Sequence, residues 1–207
     1  MLRAIEHKGV VELAKYSDVP VISGLTNLEH PCQALADMLT IKEHFGSFED
    51  KKICFVGDGN NVCNSLLLIA PLLGMDMSVA CPEGYEPNPE ILKIANEYAS
   101  ENNTEITVSS DVNVALDNVD VVYTDVWVSM GDEAEKVQRE KVLSSYQVNQ
   151  ELMELANDDA IFMHCLPAVR GQEVSAEVID GPQSVIYDQA ENRLHAQKGI
   201  LYYYMKD

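Results

Sequence analysis

From Lys52 onward the chain alternates short apolar runs with stretches of helical spacing, and this alternation limits the fold more than any other feature. The expected strands are 53–56, 77–80, 105–108, 119–123, 161–163 and 184–187. Between them the spacing predicts helices over 62–73, 89–100, 112–116, 133–145 and 149–156, with a last helix over 189–205. Strands separated by helices of this length form parallel βαβ units, because a crossover helix must return the chain to the same end of the sheet. The expectation is an α/β protein with a doubly wound, Rossmann-like parallel sheet. Ahead of it, the pattern predicts a helix over 1–17, a short strand over 19–22 without a neighbour of its own, and a helix over 28–45 closed by Gly46.

Charge and cysteine usage exclude several classes. Fourteen Lys and Arg against 34 Asp and Glu leave a net charge of −20. Phosphate-backbone binding needs a basic face, so neither nucleic acid nor an anionic membrane is expected as a partner. A few arginines inside a pocket can still hold a small anion. The five cysteines, Cys32, Cys54, Cys63, Cys81 and Cys165, form no C-x-x-C pair and are odd in number. Free thiols in a reducing cytoplasm are the expectation. No apolar run approaches the length needed to span a bilayer.

Polar clusters stand at element boundaries. Gly57-Asp58-Gly59-Asn60-Asn61 joins a strand to a helix. It stops short of the dinucleotide fingerprint G-x-G-x-x-G, because Val62 occupies the third glycine's place. A plain turn or a polar contact from the asparagines to a small ligand are the two readings. His30 and Gln33 lie one turn apart at a helix start, with Pro31 suited to the first turn. They form either a capping cluster or a pair of donors aimed at an anionic oxygen. Asp125 and Ser129 flank Trp127, the only tryptophan, past a strand. Asp125 either caps the next helix or holds an ammonium group, and Met130-Gly131 adds backbone that can grip an amino-acid head group. His164-Cys165-Leu166-Pro167 ends another strand, where ligands gather in open α/β sheets. Cys165 is a candidate nucleophile or proton acceptor there, whereas Cys54, Cys63 and Cys81 fit inert core positions. Arg193 opens the final helix and is either a surface residue or an anion contact. Histidine and cysteine spacing makes metal binding a poor reading, and no G-x-S-x-G elbow is present.

Together these motifs resemble the ornithine carbamoyltransferases. His30-Pro31-Cys32-Gln33 is similar to the family's H-P-x-Q, and Gly57-Asp58-Gly59-Asn60-Asn61 to its ornithine-side loop. Asp125-x-Trp127-x-Ser129-Met130-Gly131 is similar to D-x-W-x-S-M-G, His164-Cys165-Leu166-Pro167 to H-C-L-P, and Glu191-Asn192-Arg193 to the last arginine motif. Aspartate carbamoyltransferases carry H-P-L-P-R at the fourth motif, which disfavours aspartate as substrate. The family's S-x-R-T-R phosphate loop is absent from this sequence, so the resemblance implies the carboxyl-terminal two-thirds of a member.

The resemblance implies carbamoyl phosphate and L-ornithine as substrates, no cofactor or metal, and a homotrimer with sites between subunits. It implies catalytic roles for Cys165, His30, Asp125 and Arg193, with Cys165 the proton acceptor. Arg3, Gln33 and Leu166 are implied carbamoyl-phosphate contacts. Asn61, Ser129 and Met130 are implied ornithine contacts. The implied division is a remnant of the carbamoyl-phosphate domain over 1–26, an ornithine domain over 27–187, and a helix over 188–207 packing back on the first domain. Three rivals stay open: a carbamoyltransferase for another amine such as putrescine, a non-catalytic amino-acid-binding fragment, and a nicotinamide-dependent dehydrogenase domain.

Overall fold

The computed structural model describes residues 1–128 and 133–206. Its central sheet has five strands: β3 (Lys52–Val56), β4 (Asp76–Ala80), β5 (Ile106–Ser109), β6 (Val121–Thr124) and β7 (Ile161–His164). The order is β5-β4-β3-β6-β7 and every pairing is parallel. The connections run outward from β3 to β4 and β5, then return past β3 to β6. The switch point therefore lies between β3 and β6, and a crevice opens at their carboxyl ends.

Helices cover both faces. On one, α2 (Pro31–Phe45), α3 (Asn61–Leu72) and α4 (Pro89–Asn102) pack against Phe55, Met77, Val79 and Tyr123. On the other, Val56, Val122 and Phe162 meet Leu116, Val148, Leu152 and Val178. Burial on both faces is why these strands read as nearly continuous apolar runs. Asn60 caps α3 by accepting from the backbone N–H groups of Val62 and Cys63, and Asn88 caps α4 in the same way.

The ends depart from the sequence expectations. Residues 1–17 are not one helix: Leu2–Arg3 forms strand β1, and helix α1 spans His7–Tyr16. Strand β2 spans Ser23–Leu25 rather than 19–22. It has a neighbour after all, pairing in parallel with β1. The backbone N–H of Leu2 donates to Ile22 and that of Ala4 to Leu25. Pro20 lacks an N–H and cannot take part in such a ladder. Helix α2 begins at Pro31 rather than 28, with His30 outside the helical region (φ −130°, ψ 63°) before the proline.

Toward the carboxyl end, the expected strand 184–187 shrinks to one bridge, Ser184 with Phe162. The chain turns there into α9 (Ile186–Met205), so Arg193 lies two turns inside that helix rather than at its start. The expected helix 133–145 is a 3-10 turn, then α6 (Lys136–Leu143), then a second 3-10 turn. The expected helix 149–156 contracts to α7 (Gln150–Met153). A short helix, α8 (Ala176–Ile179), follows Ser175, which caps it. The last five residues of α9, Leu201 to Met205, are all exposed. Among the described residues no helix is long and apolar enough to cross a membrane.

Candidate active site

A cavity of about 700 Å³ occupies the crevice. Its floor is the loop after β3, where Asp58, Gly59, Asn60 and Asn61 turn the chain into α3. Gly59 is required by close packing: a Cβ there would lie 2.3 Å from the backbone nitrogen of Pro87. One wall comes from Asp125, past β6, and another from Cys165 and Leu166, past β7. His30, at the amino end of α2, and Arg193, from α9, close the far side with Arg3.

Asp125 is held in place. Its Oδ2 accepts from Asn60 Nδ2 at 2.7 Å, and its Oδ1 accepts from the Cys165 thiol at 3.0 Å. Burial pushes the Cys165 thiol well up, and the Asp125 charge and hydrogen bond push it further. In this state Cys165 is a protonated donor rather than a ready base. The turn that carries it is held from beneath. The Leu166 N–H donates to His164 Nδ1 at 2.9 Å, and the Val169 N–H donates to Glu173 Oε1. His164 Nε2 faces the same Glu173 oxygen at 3.3 Å, and both side chains are fully buried. Leu166 takes a left-handed φ of 57°, an uncommon geometry for a bulky residue and one found at ligand-gripping turns.

His30 is a neutral imidazole. Burial, then the nearby Arg193 and Arg3 charges, lower its pKa to about 4, against a smaller upward pull from Asp125. Its backbone N–H donates to Ser65 Oγ at 2.7 Å, and its Nδ1 has no partner among the described residues. A neutral ring with an unengaged buried nitrogen suits polarising a bound carbonyl. Arg193 donates through Nη1 to Gln33 Oε1, and its Nε is buried without a hydrogen bond.

Asp125, His164 and Cys165 are the one group whose donor atoms lie close enough to share a metal ion, within 4.8 Å among the described residues. The His164 nitrogens already face Leu166 and Glu173, and the thiol faces Asp125. The three are arranged to hold one another rather than to converge on an ion.

Residues 49–204 match the model of the aspartate/ornithine carbamoyltransferase Asp/Orn binding domain, and residues 1–43 match the carbamoyl-P binding domain of the same family. The chain belongs to the aspartate/ornithine carbamoyltransferase family. It is 77% identical over 206 residues to the ornithine carbamoyltransferase of Methanobrevibacter smithii, covering 100% of this chain and 68% of that protein. The Methanothermobacter thermautotrophicus ornithine carbamoyltransferase is 64% identical over 207 residues, with the same coverage. The solved ornithine carbamoyltransferase of Pyrococcus furiosus superposes with a TM-score of 0.94 at 51% identity, over 98% of this chain and 65% of that one. The chain thus spans about two-thirds of the length of these carbamoyltransferases.

Of the residues that the family resemblance implies, Arg3, His30, Asn61, Asp125, Cys165, Leu166 and Arg193 line the cavity. Gln33 does not: it is buried behind Arg193 and meets the cavity only through that residue. Asn61 lines the cavity with one amide N–H given to the Thr26 carbonyl at 2.6 Å, which leaves its second N–H and its carbonyl oxygen for a ligand. Ser129 and Met130 lie outside the described residues. Sequence reasoning offered Asn60 with Asn61 as a contact to a small ligand but passed over its bond to Asp125, 65 positions away. It also passed over the ion pair from Arg139 to Asp58 at 2.6 Å, which ties α6 to the cavity floor. No local pattern links positions 81 residues apart.

Proposed function

We propose that this chain carries the ornithine side of a carbamoyl transfer site. The carbamoyl group passes from carbamoyl phosphate to the δ-amine of L-ornithine, giving L-citrulline and phosphate. One observation carries the reading: four separate elements bring a neutral imidazole, a carboxylate, a thiol and a guanidinium to a single cavity. The reading is supported by three ornithine carbamoyltransferases that are at least 51% identical to this chain over 98% of it or more.

The reaction forms a C–N bond and breaks the C–O bond to phosphate. The attacking amine must first lose a proton. Asp125 attracts the ammonium, and a cation beside Cys165 favours the thiolate, so carboxylate and thiol take the proton as a coupled pair. His30 donates to the carbonyl oxygen while negative charge builds there, and Arg193 faces the same charge. Arg3 steadies the leaving phosphate. Leu166 presents backbone to the carbamoyl group, and Gln33 acts by holding Arg193. Asn61, Ser129 and Met130 take the amino-acid end of ornithine. Holding both substrates in one crevice removes much of the entropic cost of their encounter.

On the family resemblance we extend the proposal to a homotrimer whose neighbour supplies a phosphate loop, in the cytoplasm and in arginine metabolism. The same reading divides the chain into a carbamoyl-phosphate side, 1–26 with the helix over 188–207, and an ornithine unit over 27–187. Trp127 is next to the site and is the only tryptophan, so its emission reports binding. L-ornithine added with carbamoyl phosphate shifts that emission saturably, whereas putrescine and L-aspartate do not. A putrescine response with no ornithine response overturns the substrate assignment, and no response to either overturns the site. Turnover by this chain alone is expected to be slight. Citrulline formation at a full-length relative's rate would remove the need for a neighbour's loop.

A further inference from the structure

Asp37 sits one turn beyond Gln33 on α2, fully buried and outside the cavity. Its Oδ1 accepts from Gln33 Nε2 at 2.8 Å and from Gln189 Nε2 at 2.7 Å, and its Oδ2 accepts from the Tyr123 hydroxyl at 3.1 Å. The donors come from α2, α9 and β6. An ionised carboxylate only accepts, whereas a glutamine amide has one donating and one accepting end. Asp37 therefore decides which way each amide faces. Gln33 turns its nitrogen inward and its oxygen outward, where Arg193 donates to it. Gln189 does the same, and its oxygen accepts the backbone N–H of His164 at 2.9 Å, directly before Cys165. With either amide reversed, an NH₂ group would face a guanidinium or a backbone N–H, and both of those only donate.

We propose that Asp37 is a positioning residue for the reaction, whose acceptor-only carboxylate orients Gln33 and Gln189 and thereby sets Arg193 on one side of the cavity and the Cys165 turn on the other. What Arg193 and Cys165 do rests on the carbamoyl-transfer reading, but the orientation network does not. Burial raises the Asp37 carboxyl to about 6, against hydrogen bonds from Gln33, Gln189 and Tyr123 and the charge of Arg193. At neutral pH it is mostly the ionised acceptor that the geometry requires.

Nitrogen-15 NMR of the Arg193 Nε–H, assigned by Arg193→Lys, reads the first arm without any ligand. Asp37→Leu keeps much of the volume but removes the acceptor, so the Gln33 amide nitrogen is no longer held inward. The Arg193 signal then moves, and carbamoyl phosphate titrated against it binds about 10-fold or more weakly. Adding Gln33→Glu to Asp37→Leu puts an acceptor-only group beside Arg193, and it restores the signal and most of the affinity. A purely structural role predicts no such rescue. Gln189→Leu reads the second arm in a protein whose Asp37 is intact: it alters the alkylation rate of Cys165 and leaves the Arg193 signal in place. The proposal is overturned if Asp37→Leu leaves the Arg193 signal unchanged, if the double variant is as impaired as the single, or if Gln189→Leu leaves Cys165 unaffected. A wild-type Arg193 signal that ignores carbamoyl phosphate refutes the transfer reading instead, and the ligand-free signals still decide the role of Asp37.

Discussion

The Cys165 thiol donates its proton to Asp125 at 3.0 Å, so the acid and the thiol at the centre of the cavity act as one unit rather than as two independent groups. The carboxylate that would bind an ammonium also holds the thiol in its protonated form. Asp125→Asn removes that charge and lowers the thiol's pKa. Cys165 should then react faster with iodoacetamide at pH 8 than in the wild type, by about 10-fold for each unit of pKa recovered. Peptide mapping of the alkylated protein gives the rate, because Cys32, Cys54, Cys63 and Cys81 are buried. An equal or slower rate in the variant would contradict the coupling.

His30 should titrate far below an ordinary histidine, near pH 4, because burial and two arginines oppose its protonation. Its folded pKa is depressed, so its contribution to stability is fully present above the unfolded value of about 6.5 and is lost as pH falls toward 4. The whole contribution is about 3 kcal/mol. The Cε1 proton shift followed from pH 8 to pH 3.5 checks this, and a midpoint near 6.5 refutes it.

Asp37 carries the opposite sign. Its pKa is raised to about 6, so its contribution is fully present below the unfolded value of about 3.9 and is lost as pH rises through 6. Ionising it in the core therefore costs about 3 kcal/mol at pH 7. Urea unfolding of wild type and Asp37→Asn at pH 4 and pH 7 should show the variant's relative stability rising by about that amount at the higher pH. A difference independent of pH would mean that the Asp37 carboxyl titrates in the folded protein as it does in the unfolded chain.

Asn60 has two tasks, capping α3 and holding Asp125. Asn60→Ala should cost about 1 kcal/mol of stability from the lost cap. Its effect on ornithine affinity should be larger, because Asp125 loses the partner of one oxygen. Asn60→Ser keeps a cap but cannot reach Asp125, so it should recover the stability and not the affinity. Thermal melts and Trp127 titrations separate the two effects.

Gly59→Ala should distort the cavity floor. The added carbon would fall 2.3 Å from Pro87 N and 2.6 Å from the Glu86 carbonyl carbon, both of them backbone atoms that cannot swing aside. Several kcal/mol of destabilisation are expected, on the order of an overpacked core site. Gly46→Ala, where open space surrounds the position, should cost only what its left-handed φ of 75° imposes. Equal losses for the two would argue against the close approach.

The local pattern of residues was enough to place the five-stranded parallel sheet, most of its helices, and the polar clusters at the strand ends. These depend on backbone periodicity and on strand-end position, which neighbours in the chain define. Burial on both faces left long apolar runs at β3, β4, β6 and β7, and those were legible. The same local pattern misread 184–187, whose apolar run bridges once to Phe162 and then enters α9. It also missed β1, since a two-residue strand exists only because Ile22 and Leu25 arrive beside it. The motif that contains Gln33 reaches the cavity through His30, but no motif says whether a side chain faces the cavity or stands behind it.

What the sequence by itself determined was the set of chemical groups and the ends of the strands on which they stand. Only the tertiary structure decided which of them meet: Asn60 with Asp125 across 65 positions, Cys165 with Asp125 across 40, and Gln189 with Asp37 across 152. The reason is the range of the forces involved. Secondary structure arises from hydrogen bonds and sterics between near neighbours. The direction of a hydrogen bond and the charge state of a buried acid are settled only when distant segments close around them and exclude water.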